Sequence, residues 1–276
     1  MARRMAVAVV LGGAFAAQWA FARTAACKAS VGECRSTEGS FRVVAREPGS
    51  VRPDIPVFTS EPGLLRFRQL APTKREELPD IPGAFVLHDA FSEEECQQLI
   101  ELTEQMGYTE DAPVSLGRNI RHNENCVWIA DEETSRVAFE RCADLLPNDT
   151  DTNIPVGINR RWRFYKYNVG DIFRPHLDGS WAGSGIDSTG NLVHDIFGDR
   201  WSKMSWVLYL NDNFQGGGTR FILKRFGMDL VREVPARRGS VLCFFHGEHP
   251  LSLLHEGALV TAGTKYIVRS EVLYKL

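Results

Sequence analysis

The sequence predicts a mainly β protein with flanking helices, an α+β class whose core is a jelly-roll. Glycine or proline punctuates a series of short apolar segments, which is typical of strands joined by turns. Two helical patterns precede the series, and this order favours two packed sheets braced by helices on one face. The predicted strands are residues 162–167, 204–210, 216–223, 231–235, 239–245, 253–260 and 264–273.

The two predicted helices have recognisable ends. Ser92 is a candidate N-cap, and Glu95 completes a capping box that satisfies the first free backbone amides. Gly107 is expected to end this first helix. A second helix is predicted over residues 132–146, where Pro147 prevents its continuation. A short strand is predicted within residues 81–91, just before the first helix.

Composition shifts along the chain predict four regions. We expect a targeting segment in residues 1–25 and a Pro-rich, weakly ordered segment in residues 26–80. A helical support region is predicted for residues 81–158. The jelly-roll domain is predicted for residues 159–276.

The N-terminal segment has the pattern of a secretory signal. Two arginines precede an uncharged, mostly apolar run at residues 5–22, and Ala20 and Ala22 suit cleavage. This pattern favours the secretory pathway, either the ER/Golgi lumen or secretion. A transit peptide for organelle import is the alternative, because no acidic residue precedes Glu33. Membrane contact is expected only through this segment, if it stays uncleaved.

Charge and cysteine content narrow the partners and the compartment. A formal net charge of −3 gives no electrostatic argument for nucleic-acid binding, which usually needs a concentrated basic face. Six cysteines are consistent with an oxidising compartment. Cys27 and Cys34 flank a short loop and could pair. The other four have apolar neighbours and are expected to be buried as small apolar side chains: Cys96, Cys126, Cys142 and Cys243.

His176 and Asp178 are the first candidate metal ligands. They are two residues apart in a segment predicted to be extended, so both side chains point to the same face. An imidazole and a carboxylate on one face are two thirds of the facial triad that binds non-haem Fe(II). The pair alone is weak evidence, because polar residues at this spacing are common on surfaces.

His255 and Lys265 strengthen the case for a metal site. His255 is central in the apolar strand predicted at 253–260, and Lys265 follows ten residues later. Lys265 and Arg269 alternate onto one face of a strand suited to burial. A buried lysine is costly without an anion, so the sequence predicts either a bound carboxylate or a structural salt bridge at Lys265.

Taken in order, these residues resemble the prolyl 4-hydroxylase-like branch of the Fe(II)/2-oxoglutarate-dependent dioxygenases. The resemblance covers about residues 159–274, and each motif alone is weak whereas the ordered set is specific. The matching elements are Tyr167 nine residues before His176, Gly170 between them, His176-x-Asp178, Gly216-Gly-x-Thr219, Gly239-Ser-Val-Leu, His255-Glu-Gly and Lys265.

The resemblance implies a double-stranded β-helix fold and specific residue roles. His176, Asp178 and His255 would bind Fe(II), while Lys265 would pair with the distal carboxylate of 2-oxoglutarate. Tyr167 would hydrogen-bond this cosubstrate, and Arg269 is an alternative anchor. The family further implies O2 as a substrate and L-ascorbate as a reductant that rescues oxidised iron.

The substrate is less well specified. Residues 179–202 form a polar insertion directly after Asp178, expected to be a lid or a substrate-ordering loop, and this insertion does not match collagen-type enzymes. Residues 118–123 resemble a less-characterised branch of the family. Four residues are candidate substrate contacts: Arg121, Asn123, Arg163 and Tyr165.

The leading hypothesis is a hydroxylase of a peptidyl, possibly prolyl, substrate. One alternative is an oxygenase acting on a small molecule or on another side chain. A second alternative, from a different class, is a jelly-roll protein that binds metal without turnover. The complete set of three ligands plus Lys265 argues against this second alternative.

Overall fold

Most strands of the described chain pair into two sheets. The computed structural model describes residues 33–36, 39–111, 120–225 and 227–276. The predicted targeting segment, Cys27 and residues 117–119 therefore lie outside the described residues. Eleven strands of the described chain form the larger sheet: β1 (Glu33–Ser36), β2 (Gly39–Glu47), β3 (Ile55–Ser60), β4 (Lys74–Glu77), β5 (Phe85–His88), β7 (Glu124–Ile129), β8 (Pro155–Ile158), β9 (Arg161–Tyr167), β13 (Arg200–Tyr209), β17 (Val241–Phe245) and β20 (Lys265–Lys275).

The smaller sheet faces the larger one across an apolar layer. The remaining described strands are β6 (Arg121–His122), β10 (Ile172–His176), β11 (Gly185–Ile186), β12 (Leu192–Val193), β14 (Gln215–Gly216), β15 (Thr219–Arg225), β16 (Met228–Val234), β18 (His255–Gly257) and β19 (Val260–Ala262). The order of the smaller sheet is β16-β15-β18-β10-β6, while β11 pairs with β12 and β14 pairs with β19 in two short ladders. This mainly β architecture with two packed sheets confirms the predicted jelly-roll class.

Strand β9 shows how alternation builds both sides of the larger sheet. It pairs with β7 on one edge and β20 on the other. Trp162 and Phe164 point into the cluster that packs beneath the helices. Tyr165 and Tyr167 point the opposite way, into the layer shared with Phe173 of the smaller sheet. The strand is thus buried on both faces, and its odd-numbered residues face the space between the sheets.

The first helix, α1 (Glu93–Met106), begins and ends as the sequence predicts. Ser92 accepts a hydrogen bond from the amide of Glu95, and the Glu95 carboxylate accepts one from the amide of Ser92. Gly107 caps the C-terminus with a positive φ of 90°. Within the described residues, neither helix is long and apolar enough to cross a membrane.

The second helix is shorter than predicted. Helix α2 covers Glu132–Glu140 and is followed by a 3-10 turn at Ala143–Leu145, rather than one helix over residues 132–146. Leu146 is extended, with φ −82° and ψ 135°. The residue before a proline is disfavoured in the helical region, so Pro147 already prevents a helical conformation at Leu146.

The segment expected to be weakly ordered contributes strands β2, β3 and β4, so that expectation is wrong for these residues. Strand β2 pairs with β3, which in turn pairs parallel to β7. Phe41, Ile55 and Val57 are buried. Pro48 and Pro53 lie in the connection between β2 and β3 and leave most of the ladder intact.

The strand predicted at residues 253–260 is divided in the structure. Strand β18 pairs with β10 and β15, whereas β19 pairs with β14. The chain changes partners at Ala258 and Leu259, whose backbone groups bond to Gly218 and Gly217. A single apolar run in the sequence therefore feeds two different ladders.

The insertion at residues 179–202 is a folded hairpin held against the larger sheet. Its strands β11 and β12 pair, and Ile186 and Leu192 pack on buried Val57, Val127 and Ile129. The buried Asn159 side chain donates to the carbonyl of Ala182 and accepts from the amide of Ser184. The four cysteines expected to be buried are buried free thiols: Cys96, Cys126, Cys142 and Cys243.

Candidate metal centre

Strand pairing brings the three predicted metal ligands together. His176 ends β10 and His255 begins β18, and the two are register partners in the antiparallel ladder. Asp178 lies just beyond the end of β10. Its Oδ1 is 3.5 Å from Nε2 of His176, and its Oδ2 is 3.6 Å from Nε2 of His255. One ligand atom from each residue lies within 4.8 Å of the others, a separation that suits one ion.

Both imidazoles are oriented for metal binding. Nδ1 of His176 lies 2.8 Å from the carbonyl of Arg174, and Nδ1 of His255 lies 3.0 Å from that of Leu253. A carbonyl only accepts, so each Nδ1 carries the proton and each Nε2 is left for a metal. Burial lowers the pKa of His255 to about 4, so its ring is neutral at pH 7.

Asp178 is held by the protein through one carboxylate oxygen. Oδ2 accepts a hydrogen bond of 2.6 Å from Ser205 Oγ and lies 3.1 Å from Nε of Arg269. Burial raises the pKa of Asp178, but the neighbouring charge of Arg269 opposes this most strongly, and the pKa is held well below its usual range. Asp178 is therefore ionised, with Oδ1 directed toward His176. Two imidazoles and one carboxylate are the donor set of a non-haem Fe(II) site.

Lys265 is a buried cation without a carboxylate partner in the described chain. Only 2% of the residue is exposed, and its Nζ donates to the carbonyl of Gly217. The rings of Tyr167 and Tyr209 lie 5.2 Å and 5.8 Å from Nζ. Burial lowers the pKa of Lys265 from 10.5 to about 8. The salt bridge that the sequence left as an alternative is absent from the described residues.

Tyr167 lies beside Lys265. The two residues are register partners in β9 and β20. Tyr167 is 2% exposed, and its hydroxyl has no hydrogen-bond partner among the described residues. Burial raises the pKa of this phenol, so it stays a neutral donor. A cation and a free hydroxyl thus lie together in an apolar layer.

Arg269 and Arg163 belong to a buried ion network. Arg269 lies beside Asp178 and 3.8 Å from Oε1 of Glu271, and Arg163 also donates to this oxygen. Asn159 donates to the second oxygen of Glu271 at 3.0 Å. Trp181 covers the guanidinium of Arg163 at 5.1 Å. Both arginines lie beside protein carboxylates, although Nη2 of each has no hydrogen-bond partner among the described residues. Lys265 differs from them because no described carboxylate lies within salt-bridge distance of it.

Two other candidate substrate contacts, Arg121 and Tyr165, lie near the ligands in the fold. The guanidinium of Arg121 is 5.4 Å from the ring of Tyr165 and 5.5 Å from that of Phe173. Phe173 in turn stacks on His176 at 3.5 Å. Arg121 has no carboxylate partner in the described parts of the chain. Asn123 is 5% exposed, and its Oδ1 lacks a described partner.

Three residues that support the ligands, Ser205, His246 and Glu271, are not among the residues predicted from the sequence. Ser205 and Glu271 are fully buried polar residues in otherwise apolar strands, and His246 is 1% exposed. A polar residue at an inward-facing position of a buried strand was the available signal. Its meaning depends on contacts between strands β13, β17 and β20, which local sequence does not show.

No protein-family model and no curated protein sequence matches the chain. Several solved structures are similar in fold. A viral collagen prolyl hydroxylase from Paramecium Bursaria Chlorella virus-1, in its 2OG complex, has a TM-score of 0.47 and 15% identity, covering 72% of this chain and 100% of that chain. A Pseudomonas putida prolyl-4-hydroxylase has a TM-score of 0.43 and 17% identity, covering 70% and 92% respectively.

A third similar structure is a Trichoplax adhaerens prolyl hydroxylase in complex with a hypoxia inducible factor peptide fragment. Its TM-score is 0.46 at 16% identity, covering 71% of this chain and 84% of that chain. Because these similarities are distant, the function has to be inferred from the residues of this chain.

Proposed function

We propose that the chain is an Fe(II)- and 2-oxoglutarate-dependent dioxygenase that hydroxylates an unactivated C–H bond. The observation that carries this proposal is Lys265, a buried cation that lacks a carboxylate partner in the described chain, in the same fold as a complete triad of metal ligands. A metal-binding protein without turnover would have no need for this cation. The remote carboxylate of 2-oxoglutarate is the anion that Lys265 lacks.

The ligand residues fit Fe(II). His176, Asp178 and His255 would hold the ion on one face and leave its remaining positions open. A bound Fe(II) would supply the chemistry by which O2 converts 2-oxoglutarate to succinate and CO2 and hydroxylates the substrate. The protein fixes the two imidazoles through Arg174 and Leu253 carbonyls and keeps Asp178 ionised.

Lys265 and Tyr167 would bind and orient the cosubstrate. Lys265 would form a charge-assisted hydrogen bond to the remote carboxylate, and Tyr167 would donate its free hydroxyl. The apolar side chains around them exclude water, which strengthens both interactions. In this assignment Arg269 does not bind the cosubstrate and instead stabilises the ionised Asp178.

We favour a peptidyl, possibly prolyl, substrate. The support is Arg121, which has no carboxylate partner in the described parts of the chain and lies 5.5 Å from the ring of Phe173, which stacks on His176. A guanidinium at this position could donate to the backbone carbonyls of a peptide. Arg121, Asn123 and Tyr165 are the proposed substrate contacts, and a small-molecule substrate is the alternative.

We also propose a reductant for the iron and a cellular compartment for the protein. L-ascorbate is proposed as the reductant that restores iron after unproductive turnover. The N-terminal segment favours the secretory pathway, with organelle import as the alternative.

Succinate formation tests the proposal directly. Purified protein would be incubated with 2-oxoglutarate, Fe(II) and ascorbate, with and without proline-containing peptides. We expect His176→Ala to reduce succinate to the level of protein without iron, because a metal ligand is lost. His88→Ala is a matched control, since His88 bonds Glu76 on a distant edge of the larger sheet. Turnover that survives in His176→Ala would refute the site assignment.

A further inference from the structure

A chain of hydrogen bonds connects Asp178 to the insertion. Ser205 Oγ lies 2.6 Å from Asp178 Oδ2 and 2.9 Å from Nδ1 of His246. Nε2 of His246 lies 3.0 Å from Ser202 Oγ, which accepts a 2.7 Å hydrogen bond from the amide of Trp181. All the linking side chains are buried. The chain thus runs without a break from a candidate metal ligand to the start of the insertion.

The chemistry of the groups gives this chain one direction. The ionised Asp178 can only accept, so Ser205 donates to it and accepts from Nδ1 of His246. Nε2 of His246 must then accept from Ser202, whose oxygen is the acceptor for Trp181. This assignment requires a neutral imidazole with its proton on Nδ1. Burial, and then the charge of Arg269, lower the pKa of His246 to about 4, in agreement with a neutral ring.

His246 also lies where both ends of the insertion meet the sheet. Trp181 and Ser202, near the start and at the end of residues 179–202, bond to each other through amide and carbonyl. The amide of His246 donates to the carbonyl of Lys203, and the amide of Gly247 donates to that of Asp178. The turn after β17 therefore contacts both Asp178 and the residues where the insertion joins the sheet.

We propose that Ser205 and His246 are positioning residues that hold Asp178 in one orientation and couple that orientation to the placement of the insertion. The proposal rests on the proposed function, because it concerns a ligand of the proposed iron site. Ser205 fixes Oδ2 and leaves Oδ1 free, so Asp178 binds through one oxygen and keeps a position open. His246 transmits the position of Trp181 and Ser202 to Ser205.

Metal affinity tests the first half of the proposal. Co(II) is a suitable probe because it resists oxidation and accepts the same ligands. We expect Ser205→Ala to weaken Co(II) binding by roughly 10- to 100-fold, the usual effect of losing a hydrogen bond to a ligand. The visible Co(II) spectrum should also change, since a rotating carboxylate alters the coordination number.

Ser240→Ala is the matched control for loss of a buried serine. Ser240 is 1% exposed in the turn before β17 and donates to the carbonyl of Arg237, at the end of this strand opposite His246. It should lower stability to a similar degree and leave Co(II) affinity unchanged. Equal Co(II) affinity in Ser205→Ala and Ser240→Ala would overturn the proposed role of Ser205.

Two variants separate the role of His246 from its packing. In His246→Asn the amide keeps a donor near the position of Nδ1, whereas His246→Leu retains volume and loses both hydrogen bonds. We expect His246→Asn to restore most of the Co(II) affinity that His246→Leu loses. A Co(II) affinity in His246→Leu that equals or exceeds that in His246→Asn would show that the hydrogen bonds of His246 have no role.

Hydrogen exchange tests the coupling to the insertion. Co(II) should slow amide exchange within residues 185–200 in the wild type and in Ser240→Ala, and much less in Ser202→Ala, which breaks the series of hydrogen bonds on the insertion side. Equal protection in Ser202→Ala would overturn the coupling. A wild-type protein that binds neither Co(II) nor Fe(II) would refute the proposed function itself, a result distinct from either variant failing.

Discussion

At the scale of single residues, Lys265 is a buried charge that has no carboxylate partner in the described chain. Its charge lies between two tyrosine rings with one carbonyl as its hydrogen-bond acceptor. The arginines of the neighbouring network already have carboxylate partners, Glu271 for Arg163 and Asp178 for Arg269. Substitution of Lys265 should therefore change both the apparent KM for 2-oxoglutarate and the free energy of unfolding.

Lys265→Ala should raise the apparent KM for 2-oxoglutarate by roughly 10- to 100-fold, the effect of losing one charged hydrogen bond. Co(II) affinity should stay close to that of the wild type, because Lys265 does not contact the ligands. Steady-state succinate assays and Co(II) titration measure the two quantities. An unchanged KM would transfer the anchoring role to Arg269.

Lys265→Met should stabilise the protein in the absence of cosubstrate. The folded pKa of about 8 lies below the unfolded 10.5, so the buried charge destabilises the fold below pH 8. At pH 7 the variant should gain up to about 3 kcal/mol, and the gain should shrink as pH rises from 8 to 10.5. Urea unfolding at pH 7 and pH 10 measures this, with exposed Lys224→Met as the control. A gain that is the same at both pH values would contradict a charged Lys265.

At the scale of elements, helix α1 is joined to α2 by a buried ion pair. Glu95 is 2% exposed and accepts from both terminal nitrogens of Arg141, at 2.7 Å and 2.8 Å. It also accepts from the amides of Ser92 and Arg68. The capping residue therefore connects α1, the turn after α2 and the segment before β4.

Glu95→Ala should destabilise the protein by roughly 3 kcal/mol or more, because Arg141 would be left without its partner. Ser92→Ala removes one cap bond and should cost only about 1 kcal/mol. Chemical denaturation at pH 7 compares the two. Burial raises the pKa of Glu95, but Arg141 and the amide donors outweigh it and lower the pKa below 4.5, so this stabilisation should be lost on acidification through the folded pKa. An equal loss of unfolding free energy in the two variants would show that the ion pair with Arg141 does not stabilise the fold beyond the contribution of the helix cap.

Sequence patterns were sufficient for local features and insufficient for those that depend on pairing between distant segments. The cap at Ser92, the His176-x-Asp178 pair and the buried Lys265 follow from residue spacing alone. The early end of α2 and the division of residues 253–260 depend on neighbours that only the folded chain brings together. Arg141 at Glu95 and His246 behind Ser205 are missing from any local pattern for the same reason.

At the scale of the whole molecule, the insertion at residues 179–202 contacts strand β2 of the larger sheet. Arg161 donates two hydrogen bonds to Glu47 of β2, at 2.9 Å and 2.6 Å, and both residues are largely buried. His194 of the insertion lies 3.8 Å from Glu47, and Arg42 donates to the carbonyl of Gly190. The described part of the N-terminal region thus supports the loop that follows Asp178.

Glu47→Gln should increase hydrogen exchange within residues 185–200, because it removes the charge that holds Arg161 and faces His194. We expect at least about a tenfold increase, corresponding to the loss of roughly 1.5 kcal/mol of local stability. Glu77→Gln, on an exposed edge strand, is the control. Unchanged exchange in Glu47→Gln would mean that the apolar contacts of Ile186 and Leu192 are enough to hold the hairpin.

The register of His176 against His255 has a consequence for folding. These partners are separated by 79 positions in the chain, and the intervening segment includes the insertion and strands β13 to β17. A bound ion would act as a reversible cross-link that closes this long loop, restricting the unfolded chain by at most about 4.5 kcal/mol on the scale used for disulfides. Metal supply during biosynthesis would then govern how much of the chain reaches the native state, before any substrate is encountered.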